Sequence, residues 1–158
     1  LNKIVSSLLF LTLCSAQTNL AADEARIKIN LSTKGNNIAF DVEAVQVPHG
    51  KDIVIDFHNQ ALSDSEILHN IALLKPGSTK EVMEFFANND YDQEKVKNHP
   101  MVIAMTPMLA PGKKIQLIVP SKDVPKPGYY PYVCLVPGHG DMLGMKGILN
   151  VTKSSKSK

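Results

Sequence analysis

The chain has 158 residues, with 17 Lys and Arg against 15 Asp and Glu and a formal net charge of +2. That length gives one domain with a real core and leaves no room for two. A charge so close to balance, with no basic stripe, excludes a nucleic-acid-binding surface.

Residues 1–22 read as an export signal: Lys3, an apolar run from Ile4 to Leu13, then small residues, with cleavage expected after Ala16 or after Ala22. The run is too short to cross a bilayer core of about 30 Å as a helix, so no membrane span is expected in the mature chain. Leu13 stands before Cys14 where a lipidation site wants a small residue. Cleavage removes Lys3 and no acid, lowering the formal charge to +1, and removes Cys14. Cys134 is then alone in an oxidising compartment, where an unpaired thiol is a hazard unless it is buried or metal-bound. No disulfide can form within such a chain.

Short strand signals follow. Arg26 to Leu31 alternates with period two before the turn Lys34-Gly35-Asn36-Asn37, and Ile53, Ile55 and Phe57 alternate with Val54 and Asp56. Ser78-Thr79-Lys80-Glu81 has the form of a capping box, opening a helix whose apolar face is Val82, Met83, Phe85 and Phe86. Asp90 to Pro100 is polar and reads as a loop with a second short turn. Ile115, Leu117 and Val119 form another alternating strand. Tyr130, Tyr132 and Cys134 share one face of the next, on which Pro131 is awkward because it cannot donate to a ladder. Leu149 and Val151 close the last strand. Seven or eight strands with Gly and Pro turns predict an all-β, Greek-key β-sandwich with a short helical insertion over residues 23–152, followed by a polar tail at 153–158.

The densest chemistry lies in Tyr130-Pro131-Tyr132-Val133-Cys134-Leu135-Val136-Pro137-Gly138-His139-Gly140-Asp141-Met142-Leu143-Gly144-Met145-Lys146-Gly147. Fully extended, Cys134 and His139 would stand roughly 16 Å apart. Val136-Pro137-Gly138-His139 instead predicts a type II turn that brings them together, since Pro presets φ and Gly supplies the positive φ. A second imidazole is available upstream in Ile67-Leu68-His69-Asn70. Two His, one Cys and a weak Met form the ligand set of a blue-copper electron-transfer site, in which thiolate and thioether suit Cu(I) and imidazole tolerates both oxidation states. Taken alone, a strand Cys is usually a small buried hydrophobe and His69 a core histidine; their company makes them ligands. His49, His58 and His99 lack such company and read as surface or loop residues, while Met83, Met101, Met105 and Met108 read as packing.

These motifs carry a family resemblance. Cys-x-x-Pro-Gly-His, the Met145-Lys146-Gly147 ending and the His69-Asn70 pair resemble the cupredoxins, most closely azurin, from about Arg26 to Thr152. The resemblance implies one type 1 copper per chain held by His69, Cys134, His139 and an axial Met145. It implies a periplasmic one-electron carrier, monomeric and not an enzyme, serving redox partners such as a c-type cytochrome or a copper-containing reductase. Azurins leave three residues between the second His and the Met; here five precede Met145 and two precede Met142. Met145 is preferred because Lys146-Gly147 follows it. Leu68 stands where azurins carry a Gly whose carbonyl approaches copper. The helical insertion matches the azurin flap and reads as a cover over one sheet edge.

Asn70 is expected to tie the two ligand loops together by its side chain, with its N–H and that of Val136 reaching the Cys134 sulfur. Pro137, Gly138, Gly140, Met142 and Leu143 should frame the His139 ring edge as an apolar patch. A copper-delivery or copper-storage protein is the alternative. A copper oxidase is disfavoured, since multicopper enzymes place His beside the ligand Cys and Cys134 has Val133 and Leu135.

Overall fold

The computed structural model describes residues 26–154; the expected leader, Cys14 and the end of the tail lie outside the described residues. Apolar–polar alternation becomes eight strands: β1 Arg26–Ser32, β2 Ala44–Pro48, β3 Asp52–His58, β4 Ala72–Leu74, β5 Val102–Met105, β6 Lys114–Val119, β7 Gly128–Val133 and β8 Lys146–Thr152. They form two sheets, one ordered β1-β3-β6 and the other β2-β8-β7-β4-β5. The β1–β3 and β2–β8 pairs are parallel and the others antiparallel. Chain neighbours that lie apart in the sheets make this the expected Greek-key sandwich.

Side chains alternate about each strand, and that decides which core they join. Ile29, Leu31, Ile53, Ile55, Phe57, Leu117 and Val119 meet Leu73, Tyr130, Tyr132, Leu149 and Val151 in one buried core. Phe40 bridges the layers, edge-on to Tyr132 at 5.2 Å and to Phe57 at 6.2 Å between centroids. Tyr132 reaches through this core to donate its hydroxyl to the Val42 carbonyl. Cys134 continues the inward face of Tyr130 and Tyr132, as their spacing predicts.

Pro131 is accommodated by register. It pairs with Ile148, whose N–H turns the other way, to the Glu43 carbonyl. The Pro131–Ile148 pair is therefore one that exchanges no ladder bonds with β8. The missing N–H falls on the β4 side, where pairing covers only Tyr132 and Val133.

Two helices interrupt the sandwich, α1 at Thr79–Asn88 and α2 at Gln93–Lys97. Their Val82, Phe86 and Val96 pack on Ala72, Leu74, Val133 and Leu135 as a second core. The insertion thus covers the outward face of the five-stranded sheet over β4 and β7, rather than only an edge. The capping box locates α1 but does not form: Ser78 makes no cap bond and its hydroxyl donates back to the Lys75 carbonyl at 2.7 Å. Ser78 is buried, and its hydroxyl is satisfied by that local carbonyl without accepting from a helix N–H. The second short turn is a real helix, capped by Asp92, whose carboxylate accepts from the Glu94 and Lys95 N–H groups. No helix among the described residues is long and apolar enough to cross a membrane.

Candidate metal centre

Four chain segments meet at the end of the sandwich where β3, β5 and β7 finish. Cys134 follows β7, and its N–H donates to the Met145 carbonyl at 3.1 Å. Val136 to His139 is the predicted turn: the His139 N–H donates to the Val136 carbonyl at 3.0 Å and Gly138 has φ +83°. The return to β8 is held by Leu143 N–H to the Gly138 carbonyl at 3.0 Å and Met145 N–H to the His139 carbonyl at 2.8 Å. His69 is fixed from the other side by a two-way bridge, His69 N–H to Leu109 O at 3.1 Å and Leu109 N–H to His69 O at 2.7 Å.

The outcome is a compact set of donors. Cys134 Sγ lies 3.8 Å from His69 Nδ1 and 3.6 Å from His139 Nδ1. Among the described residues these three form a metal-holding group of His, Cys, Asp or Glu side chains, with ligand atoms within 4.8 Å of one another. In a trigonal site with bonds of about 2.3 Å to sulfur and about 2.0 Å to nitrogen, sulfur and nitrogen stand about 3.7 Å apart. The spacing fits a first-row metal ion at the centre, and the soft sulfur with two imidazoles fits copper. His69 and Cys134 are fully buried, and His139 is partly exposed. Met145 is 1% exposed and Met142 82% exposed, so of the two thioethers only Met145 lies inside.

Burial also sets the proton affinities. It pushes the Cys134 thiol up to about 11, against the opposing pull of hydrogen bonds from the Asn70 and Val136 N–H groups. Desolvation, with a smaller repulsion from His139, takes His69 down to about 4. His139 is lowered by burial, with Asp141 acting in the opposite sense. At neutral pH both imidazoles are therefore unprotonated and ready to donate, while the thiol must lose its proton to a metal.

The surroundings match the sequence reading in most respects. Asn70 ties the loops, its Oδ1 accepting the Leu135 N–H at 2.7 Å. Leu143 is 62% exposed beside the half-buried His139. Gly140 departs from the expected patch. It is buried, and a Cβ there would sit 2.5 Å from the Cys134 carbonyl oxygen and from Met83 Cε. Gly140 is a close-packing position beneath the loop, and Met83 of α1 packs against it. His99 does lie in a loop, but its side chain is only 8% exposed, its ring tilted against Phe85 at 4.5 Å between centroids with Nδ1 accepting the Met101 N–H.

Two residues carry weight that the sequence did not signal. Asn59 is fully buried and donates to the Ile67 and Leu109 carbonyls at 2.8 and 2.9 Å while accepting the Ala61 N–H. It pins the loop that delivers His69. Gln93, at the start of α2, bonds both Asn70 and the Leu135 carbonyl. Each is an amide in a polar stretch, with nothing local to mark it.

Comparison with known proteins decides the family. The family described as copper binding proteins, plastocyanin/azurin family, matches residues 27–152. The chain belongs to the plastocyanin/azurin family of copper-binding proteins. It is 26% identical over 129 residues to auracyanin-A of Chloroflexus aurantiacus, spanning 78% of this chain and 75% of that one. Auracyanin-B of the same organism is 31% identical over 118 residues, 73% of this chain, which spans about half (48%) of that longer relative. The crystal structure of dithionite-reduced auracyanin from Roseiflexus castenholzii superposes with a TM-score of 0.69 at 30% identity, covering 79% of this chain and 96% of that one. The family is one of electron carriers, not of enzymes. The cofactor that this cupredoxin's donor set suits is one type 1 copper.

Proposed function

We propose that this cupredoxin is an exported, periplasmic one-electron carrier in which His69, Cys134, His139 and Met145 would hold one copper. The observation that carries the reading is the grouping of three donor atoms, with the sulfur 3.6 and 3.8 Å from the two imidazole nitrogens, already formed by the protein alone. Copper bound there supplies a Cu(I)/Cu(II) couple. The chain's own part is to keep the donors where both states accept them. The His69–Leu109 bridge, the Val136–His139 turn and the Cys134–Met145 bond hold the ligand-bearing backbone against rearrangement. Two N–H groups on the sulfur stabilise the electron-rich reduced form. Water is kept from Cys134 and His69 by complete burial, and only His139 opens to a partner.

Export rests on residues 1–22 as a leader, with residues 23–152 as the working domain. The partners are redox proteins such as a c-type cytochrome or a copper-containing reductase, met by a monomer. A delivery or storage protein must surrender its ion, and complete burial of two donors opposes that. Contact through the His139 edge need be only brief, in the class of interfaces under about 1,200 Å². The test is stopped-flow electron exchange between the copper-loaded protein and a c-type cytochrome. Wild type is expected to exchange reversibly and with weak salt dependence, given the near-neutral charge. Leu143→Lys is expected to slow exchange about tenfold with the visible spectrum unchanged. A protein that holds Cu(I) and passes no electrons would be a copper-delivery or storage protein instead.

A further inference from the structure

Leu135 follows Cys134 and Asn70 follows His69, and a third residue joins them from outside the sandwich. The Leu135 N–H donates to Asn70 Oδ1 at 2.7 Å, Asn70 Nδ2 donates to Gln93 Oε1 at 3.2 Å, and Gln93 Nε2 donates to the Leu135 carbonyl at 3.0 Å. The three bonds close a ring. It needs a side chain at 93 that gives and accepts at once, which an amide does and a carboxylate or an apolar chain does not.

The ring acts on the sulfur through peptide geometry. The Leu135 carbonyl and the Val136 N–H belong to one planar unit and point to opposite sides of it. Gln93 holds the carbonyl, so it also sets the direction of the Val136 N–H, one of the two groups aimed at Cys134 Sγ. The other is the backbone N–H of Asn70, whose side chain is bonded at both ends of its amide within the same ring. Meanwhile α2 does not depend on the Gln93 side chain, since Asp92 caps it and Val96 anchors it in the second core. The amide of Gln93 is spent on the ligand loops and not on its own helix.

Resting on the copper assignment above, we propose that Gln93 is a positioning residue of the metal centre, by which the helical insertion locks the 135–136 peptide and Asn70 and so holds the hydrogen bonds on the Cys134 sulfur. The insertion is then a working part of the centre as well as a cover over a sheet face.

The test uses Gln93→Met, which keeps the length and removes donor and acceptor together, and Gln93→Glu, which keeps an acceptor for Asn70 and loses the donor to Leu135. In the metal-free protein, amide exchange at Leu135 and Val136 is expected to quicken about tenfold in Gln93→Met. In the copper-loaded protein, the loosened sulfur bonds favour the oxidised form, shifting the redox equilibrium about threefold, equivalent to ~30 mV for a one-electron couple. Gln93→Glu is expected to shift it at least as far in the same direction. Glu94→Gln, an exposed neighbour on α2, should change neither reading. A Gln93→Met protein with wild-type exchange at both amides when metal-free and a wild-type potential when copper-loaded would overturn the proposal, as would an equal shift in Glu94→Gln. If wild type itself failed to form a blue centre, the copper assignment would fall, and exchange at Val136 in the metal-free protein would still decide the role of Gln93.

Discussion

Two methionines compete for the fourth ligand position, and burial separates them. Met145 is 1% exposed and its backbone bonds both His139 and Cys134, whereas Met142 is 82% exposed with its sulfur near Gly138. A weak axial thioether tunes a site that the other three ligands create. Met145→Leu is therefore expected to retain copper and raise the reduction potential, and Met142→Leu to leave it unchanged, both read by voltammetry. The reverse ranking would mean that the loop is threaded differently. The sequence left this choice open because the loop is glycine-rich and both spacings reach back; the bond from Cys134 N–H to Met145 O, eleven residues away, is what favours Met145 in the proposed site. The pairing of Cys134 with His139 was legible because Pro137 and Gly138 encode their turn locally. Asn59 and Gln93 were not, since each acts on carbonyls that only the fold brings near: Leu109 lies 50 residues from Asn59, and Leu135 lies 42 from Gln93.

At the scale of elements, the insertion stands or falls with its own small core. Phe86 is 3% exposed, packs with Val82 and Val96 on the sheet, and meets Tyr91 edge-on at 5.3 Å. Phe86→Ala is expected to cost about 3 kcal/mol in urea unfolding. The separate core between the sheets keeps the sandwich folded in that variant, which retained far-ultraviolet β signal would report. Loss of less than about 1 kcal/mol would mean that the helices rest loosely on the sheet. The strands were legible because Tyr130, Tyr132 and Cys134, or Ile53, Ile55 and Phe57, alternate cleanly toward a single core. Helix α1 was legible from its apolar face and its start after Ser78, but the bonding of its cap was not: buried Ser78 turns its hydroxyl to the Lys75 carbonyl, which the capping motif does not register. Helix α2 is short and depends on Asp92, so it read as a polar loop.

At the scale of the molecule, the site's proton affinities become stability. His69 titrates near 4 when folded and near the ordinary 6.5 when unfolded, so between those values the unfolded chain binds more protons. Metal-free protein should lose stability as pH falls from about 6.5 toward 4, at up to about 1.4 kcal/mol per pH unit. Cys134 runs the other way: its folded value near 11 lies above the ordinary 9, so stability should fall as pH rises between them. Urea melts of metal-free protein are expected to show a plateau between these two windows, and steady stability down to pH 4 would contradict the burial of His69. Binding of copper then takes the thiol proton, which is what joins the fold to the chemistry. Copper ligation by Cys134 is therefore tested most directly by a visible absorption titration of metal-free protein with Cu(II). An intense blue thiolate-to-copper band is expected that saturates at one copper per chain, vanishes on reduction, returns on oxidation and is absent from Cys134→Ser. A colourless complex, or a band that survives in Cys134→Ser, would contradict it.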